Sequence, residues 1–227
     1  IDAGFKNANF DITGLADDSY EFGQLIWNYD GEENSNVIER SDKKWILNIS
    51  KPDSSQKKTI KFVATDKFLR TTVKTFTYAF DLDKPNLVIP EEQRTSITDK
   101  YFNQSTMVTL SGTANDVTGE SSTQSGLKVV QYGLGTGHNA VSTNSLAYAN
   151  TNGSAEWTVL LNIPDFSDGP YTLFIKAIDN SGNESDVQKF NITADSTSPI
   201  LSGFKRNSNH KTNFSFLILL FSLSCFT

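Results

Sequence analysis

Two histidines, His138 and His210, and one cysteine, Cys225, are the only imidazoles and the only thiol in 227 residues. A nucleophilic triad needs an imidazole held against a serine or thiol, and no Gly-x-Ser-x-Gly turn is present. His138 lies in a glycine-rich stretch and reads as a solvated loop residue, while His210 and Cys225 fall in an aberrant C-terminal tail. A zinc site of the His/Cys kind has too few ligands. Glu32-Glu33 and Glu91-Glu92 are adjacent carboxylates, but neighbours on a strand point to opposite faces, so neither makes the facing pair that glycoside hydrolysis requires. Gly133-Leu134-Gly135-Thr136-Gly137 lacks the Lys-[Ser/Thr] of a phosphate cradle and is expected to be a flexible loop. Tyr148, in a Ser/Asn-rich stretch, is the aromatic best placed to stack on a sugar ring.

One group of oxygen ligands remains. Asp179, Asn180, Asn183, Glu184 and Asp186 stand within eight residues, and calcium takes hard oxygen ligands presented by a loop. EF-hand spacing is absent. The turn itself accounts for these residues: Asn180, Gly182 and Asn183 suit a tight reversal, with Asp179 capping a backbone amide. No cofactor is therefore expected, and calcium, on Asp179, Asn180, Asn183 and Asp186, is the one ion that the residue types allow.

Composition agrees with an absence of catalysis. Ser, Thr and Asn make up 68 residues, and hydrophobic residues 37%, too many for wholesale disorder. A net charge of −6 argues against nucleic acid, whose binders carry a basic footprint. A lone cysteine forms no internal disulfide, so stability must come from packing and strand pairing.

What must position these side chains is legible from an internal repeat. Phe10-Asp11-Ile12-Thr13-Gly14-Leu15-Ala16-Asp17-Asp18 matches Val108-Thr109-Leu110-Ser111-Gly112-Thr113-Ala114-Asn115-Asp116. A Trp-led apolar run, Trp45 to Ile49, matches Trp157 to Leu161, and Thr59 to Asp66 matches Thr172 to Asp179. Asp83 with Pro85, and Asp195 with Pro199, close the two copies. The offset grows from 98 at the glycine to 113 at the aspartate, which places a loop insertion in the second copy within residues 117–126 and 133–156. Ser202-Gly203-Phe204-Lys205 echoes Ala3-Gly4-Phe5-Lys6, as if a third unit began.

Runs of four to eight residues alternate with period two, as in Thr71 to Tyr78, and are bounded by Gly, Asn and Asp turns. That spacing predicts an all-β chain of two tandem sandwiches without disulfides. Trp45 and Trp157 are expected to anchor the two cores. Gly14, Gly112 and Ala114 leave room for close backbone approach, and Gly182 supplies a positive φ.

Gly112-Thr113-Ala114-Asn115-Asp116, then Asp168-Gly169-Pro170-Tyr171, then Lys176-Ala177-Ile178-Asp179-Asn180-Ser181-Gly182-Asn183-Glu184-Ser185, and finally Asp195 to Pro199 resemble the bacterial immunoglobulin-like (Big-type) repeats of secreted and surface proteins. The first copy departs from the pattern, with Lys57-Lys58 at the Asp-Gly turn and no Gly or Asn after Asp66. The resemblance implies immunoglobulin-like domains at residues 1–85 and 106–200. A linker would fill 86–105, and a third repeat would begin in 201–227 before an apolar tail. It also implies a non-catalytic structural or adhesive segment of a larger extracellular or cell-surface bacterial protein, with any secretion signal upstream of Ile1. A host or surface protein or a glycan is the expected partner, and the segment itself is expected to be monomeric and not inserted in a membrane. Two other roles stay open: a carbohydrate-binding accessory module of a secreted enzyme, and an assembly protein whose strand edges pair with a partner. Residues 207–227 are expected to be either out of frame or a truncated anchor.

Overall fold

The computed structural model describes residues 2–103, 106–116, 123–142 and 146–203. In chain order the strands are β1 (Asp2–Lys6), β2 (Phe10–Leu15), β3 (Phe22–Tyr29), β4 (Asn36–Val37), β5 (Arg40–Ser41), β6 (Lys44–Ile49), β7 (Gln56–Asp66) and β8 (Thr71–Phe80). They continue as β9 (Asn86–Val88), β10 (Lys100–Phe102), β11 (Met107–Asn115), β12 (Leu127–Thr136), β13 (Tyr148–Asn150), β14 (Glu156–Asn162), β15 (Gly169–Asp179) and β16 (Gln188–Ala194). One helix, α1 (Glu91–Ile97), interrupts them.

The sheets repeat as the sequence does. In the first sandwich, the order β1-β8-β7-β3-β4 faces β2-β6-β5. In the second, β10-β16-β15-β12-β13 faces β14-β11-β9. β1 and β10 each run parallel to the last strand of their copy, and β2 pairs with β6 as β11 pairs with β14, both antiparallel. The glycine and tryptophan of each copy lie opposite one another, Gly14 with Trp45 and Gly112 with Trp157. A Cβ on Gly14 would sit 2.5 Å from the Trp45 ring, and one on Gly112 would sit 2.6 Å from the Trp157 ring. Each glycine is thus required by the indole lying over it.

Alternation along the strands delivers the cores. Val108, Leu110 and Ala114 of β11 and Trp157, Val159 and Leu161 of β14 point inward onto Leu173, Ile175, Phe190 and Ile192. The first core gathers Ile12, Leu25, Ile60, Phe62, Tyr78 and Phe80, with Phe10 stacked edge-on against Tyr78 at 5.2 Å. The two tryptophans differ. Trp157 is 1% exposed, whereas Trp45 is only half-buried and leans on Phe62 at 5.0 Å between ring centroids.

Three expectations change. Residues 86–102, within the span 86–105 expected as a linker, are built into the second sandwich. β9 extends its smaller sheet, α1 packs between β11 and β16, and β10 joins the larger sheet. Arg94 fixes the helix by donating to the Ile89 carbonyl and to Gln188 Oε1. Gly133 to Thr136, expected as a flexible loop, belongs to β12, where lack of side chains lets Ala140, Leu146 and Phe174 pack close. The closing residues also shift register: Asp81, rather than Asp83, matches Asp195. Asp81 N–H donates to the Lys6 carbonyl as Asp195 N–H donates to the Phe102 carbonyl. The apolar tail and the third-repeat echo beyond Gly203 lie outside the described residues. Among those described, no helix is long and apolar enough to cross a membrane.

Replacing Trp157 with Ala empties a fully buried site and should cost about 3–5 kcal/mol in chemical unfolding. Trp45→Ala should cost clearly less, because part of that side chain already meets solvent; equal losses would contradict the difference in packing.

Candidate metal centre

Asp81, Asp116 and Asp179 come from three separate elements and meet at the joint between the sandwiches. Asp81 follows the last residue of β8, Asp116 follows β11, and Asp179 ends β15. One carboxylate oxygen from each lies within 4.8 Å of the others. Asp81 and Asp179 are 0% exposed and Asp116 4%. Like charges at this separation inside a protein repel strongly unless a proton or a cation intervenes.

Local backbone geometry holds each carboxylate. Asp179 Oδ1 accepts from the amides of Gly182 at 2.6 Å and Asn183 at 2.8 Å, and its Oδ2 accepts from Asn183 Nδ2 at 2.8 Å. Gly182 has φ +95, the left-handed value that this turn needs. Asp81 Oδ2 accepts from the Ser125 amide at 2.7 Å, and Asp116 Oδ2 from the Gly126 amide at 2.6 Å. Asp116 Oδ1 is buried with no hydrogen-bond partner. Among the described residues, no ion pair reaches any of the three aspartates. Burial, and then the facing Asp81 carboxylate, push the Asp116 carboxyl above the usual range, with Asp179 adding to the shift against the pull of the Gly126 amide.

The sequence-predicted oxygen ligands separate into different roles. Asp179 caps its turn and also joins the cluster. Asn183 braces it from behind, and its amide also donates to the Asp81 carbonyl at 2.8 Å, linking the sandwiches. Asn180 turns away and donates to the Ser125 carbonyl at 3.0 Å. Asp186 is exposed and pairs with Lys84 at 2.9 Å, whose ammonium holds its carboxyl below the usual range. Glu184 pairs with Lys176 at 2.6 Å. Asp116 was visible in the repeated Gly-x-Ala-x-Asp motif, whereas Asp81 was missed in favour of Asp83, because the register of the closing strand shows only in its pairing. Their meeting is a product of tertiary structure.

The matching corner of the first sandwich solves the same problem differently. Asp18 and Asp66 stand where Asp116 and Asp179 stand in the second. Asp66 Oδ1 accepts from the amides of Phe68 and Arg70, as Asp179 does from its own turn. Arg70 Nε then lies 2.6 Å from Asp66 Oδ2, in the place that neutral Asn183 takes. Burial raises the Asp66 carboxyl, but the Arg70 and Phe68 amides and the Arg70 guanidinium outweigh it and leave it below the usual range. One corner carries its own cation; the other presents only carboxylates.

The remaining candidates supply no site. Exposed His138 places Nε2 3.1 Å from both the Ile192 carbonyl and Thr193 Oγ1. Tyr148 is half-buried, with the Lys176 ammonium 4.5 Å from its ring centroid and Ser142 on its hydroxyl, so its face is not free for a sugar. Glu91 and Glu92 sit in the first turn of α1, where the helix dipole favours them.

With a chelator present, Asp116→Asn should raise the melting temperature, because it removes one of three facing charges while keeping an oxygen for Gly126. Each kcal/mol relieved corresponds to about 2–4 °C for a chain of this size. A fall in thermal melts would contradict repulsion at this corner.

No family model and no curated protein matches the chain. Among solved structures it is similar to the fibronectin(III)-like modules of Clostridium thermocellum CbhA, at 11% identity, with 89% of this chain and 93% of that one covered and a TM-score of 0.47. It is also similar to the D00-D0 domain of intimin, at 14% identity, 82% and 94% coverage and a TM-score of 0.33. A tetra-tandem repeat from the extending region of a large adhesion protein is similar at 18% identity, with 83% of this chain and 46% of that one covered and a TM-score of 0.31.

Proposed function

We propose that this chain is a non-catalytic structural segment of a bacterial surface or secreted protein. Its two immunoglobulin-like modules act as a spacer or adhesive array, and a calcium ion fixes their joint. The observation that carries the reading is the buried Asp116 Oδ1, without a partner and facing the carboxylates of Asp81 and Asp179. A ligand set made wholly of hard oxygens excludes the softer metals and suits calcium or magnesium. Magnesium dehydrates reluctantly and keeps several waters, whereas calcium accepts a cage of protein oxygens, so a buried set of three carboxylates suits calcium better.

The joint gives the ion a mechanical role. Asp81 belongs to the exit of the first sandwich, and Asp116 and Asp179 belong to one end of the second. A cation bound to all three ties the modules together and removes the repulsion that otherwise pushes them apart. Extracellular modules bind calcium with affinities near 10⁻⁴–10⁻³ M, roughly the concentration outside cells. A surface or secreted segment would meet its ion in that regime.

Isothermal titration of the chain with calcium should show one binding event that is lost in Asp81→Asn and in Asp179→Asn. At a hundredfold excess over Kd the bound ion stabilises by about 2.7 kcal/mol, a rise of roughly 5–10 °C in melting temperature. No heat and no shift, or a shift that survives both substitutions, would refute the assignment.

A further inference from the structure

A spacer or adhesive segment is pulled along its chain, and the strand topology fixes where the load goes. A pull from the first sandwich leaves β8 at Phe80 and reaches the second sandwich at Asp81, while a pull from the far side leaves β16 at Ala194. From Asp81 the covalent chain delivers the load first to β9. That strand grips β11 through three residue pairs, Asn86 with Asn115, Leu87 with Ala114 and Val88 with Thr113. Behind it, α1 is held by Ile97 in the core, by Arg94 on the Ile89 carbonyl and Gln188, and by Gln93 Oε1, which accepts from the Ser111 amide. Beyond α1 the contact changes in kind. β10 runs parallel to β16, with Lys100 opposite Ile192 and Phe102 opposite Ala194. The Asp99 amide donates to the Asn191 carbonyl at one end of this ladder, and the Asp195 amide to the Phe102 carbonyl at the other. Opposite pulls on parallel strands slide one along the other, so these bonds must break together.

A second path for the load opens at the same point. Asp116 follows β11, and Asp179 ends β15, which lies in the middle of the larger sheet. A cation shared by Asp81, Asp116 and Asp179 carries load from Asp81 straight into those strands and leaves β9 and α1 unloaded. Without a cation, Asp81 is tied to the second sandwich by neutral donors, the Ser125 amide on Oδ2 and Asn183 Nδ2 on its carbonyl. The next tie, Lys84 with Asp186, is an exposed ion pair of the kind that contributes little.

We propose that the joint segment, residues 82–99, is a reserve of length that tension releases and calcium locks. The inference rests on the calcium reading above and adds its consequence under load. At low calcium a pull strips β9 from β11, draws Leu87, Ile89 and Ile97 out of the core and stops at the β10–β16 ladder. The chain lengthens by at most about 65 Å, the reach of residues 82–99 when fully extended. With calcium bound, the segment stays docked until the carboxylate–calcium contacts give way.

The test is single-molecule stretching of the full chain, held by tags at its two ends, in saturating calcium and in chelator. In chelator a step of some tens of ångströms should precede the unfolding of the second sandwich. In calcium that step should vanish or move to clearly higher force, and Asp179→Asn should restore it. A disulfide joining Val88→Cys to Thr113→Cys, with Cys225→Ser to leave no other thiol, should remove most of the step in chelator when oxidised and return it when reduced. Comparing the two states of one molecule separates the release of β9 from any loss of folding. No step in chelator, or a step that the closed disulfide leaves unchanged, would overturn the inference and leave calcium binding untouched. The same step at the same force in both conditions would overturn it as well: with binding heat present in the titration the lock alone fails, and with no binding heat the calcium reading fails with it.

Discussion

Everything distinctive about this chain follows from residues 81–97 belonging to two modules at once. The segment leaves the first sandwich as the continuation of β8, becomes the edge strand β9 of the second, and caps its open side with α1. An edge strand must reach its partner in register, so the exit of one module is brought up against the next. Leu87, Ile89 and Ile97 secure that register through burial, since a one-residue slip would carry Leu87 out of the core. With no disulfide available, this sharing of a strand and helix is the connection that packing alone can supply.

The same register brings Asp81 against Asp116 and Asp179. Strand pairing is non-local and pays no attention to charge, so the carboxylates arrive together because their backbones do. The two corners of the molecule show alternative ways of meeting the cost. In the first, Arg70 brings a covalently attached cation, and the turn closes on itself. In the second, neutral Asn183 takes the equivalent place and donates to both Asp179 and Asp81, so it brings no cation to the carboxylates. A corner neutralised from within is independent of solution conditions, whereas on the proposed reading the other couples the joint to calcium concentration.

Much of this was legible in the sequence, and the exceptions have physical causes. The Gly-x-Ala-x-Asp motif and the Trp-led run gave two copies, and their strands pair as the repeat requires. The apolar positions of the matched runs, Val108, Leu110, Val159 and Leu161, turn inward as period-two alternation requires. The span 86–105 looked like a linker because its apolar residues are few and widely spaced. They bury only because β11 offers an edge, and α1 is too short to show a helical period, although Pro90 ahead of Glu91 and Glu92 marks its start. Asp179 was visible as a turn cap. Its partnership with residues 98 and 63 positions away in sequence depends on sheet register, which local pattern does not encode. Trp45 and Trp157 look equivalent in sequence; the burial of Trp157 is completed by β9 and α1, whose place beside β11 local pattern does not encode.

The central claim is that a cation held by three buried carboxylates sets the relation between the modules. The most direct test is the distribution of distances between two spin labels, one on each sandwich, measured by pulsed electron resonance with calcium and with chelator. A single narrow distribution with calcium that broadens with chelator, and that no longer responds to calcium in Asp116→Asn, is the expected result. A distribution equally narrow with and without calcium would show that strand sharing alone fixes the joint and would contradict the account.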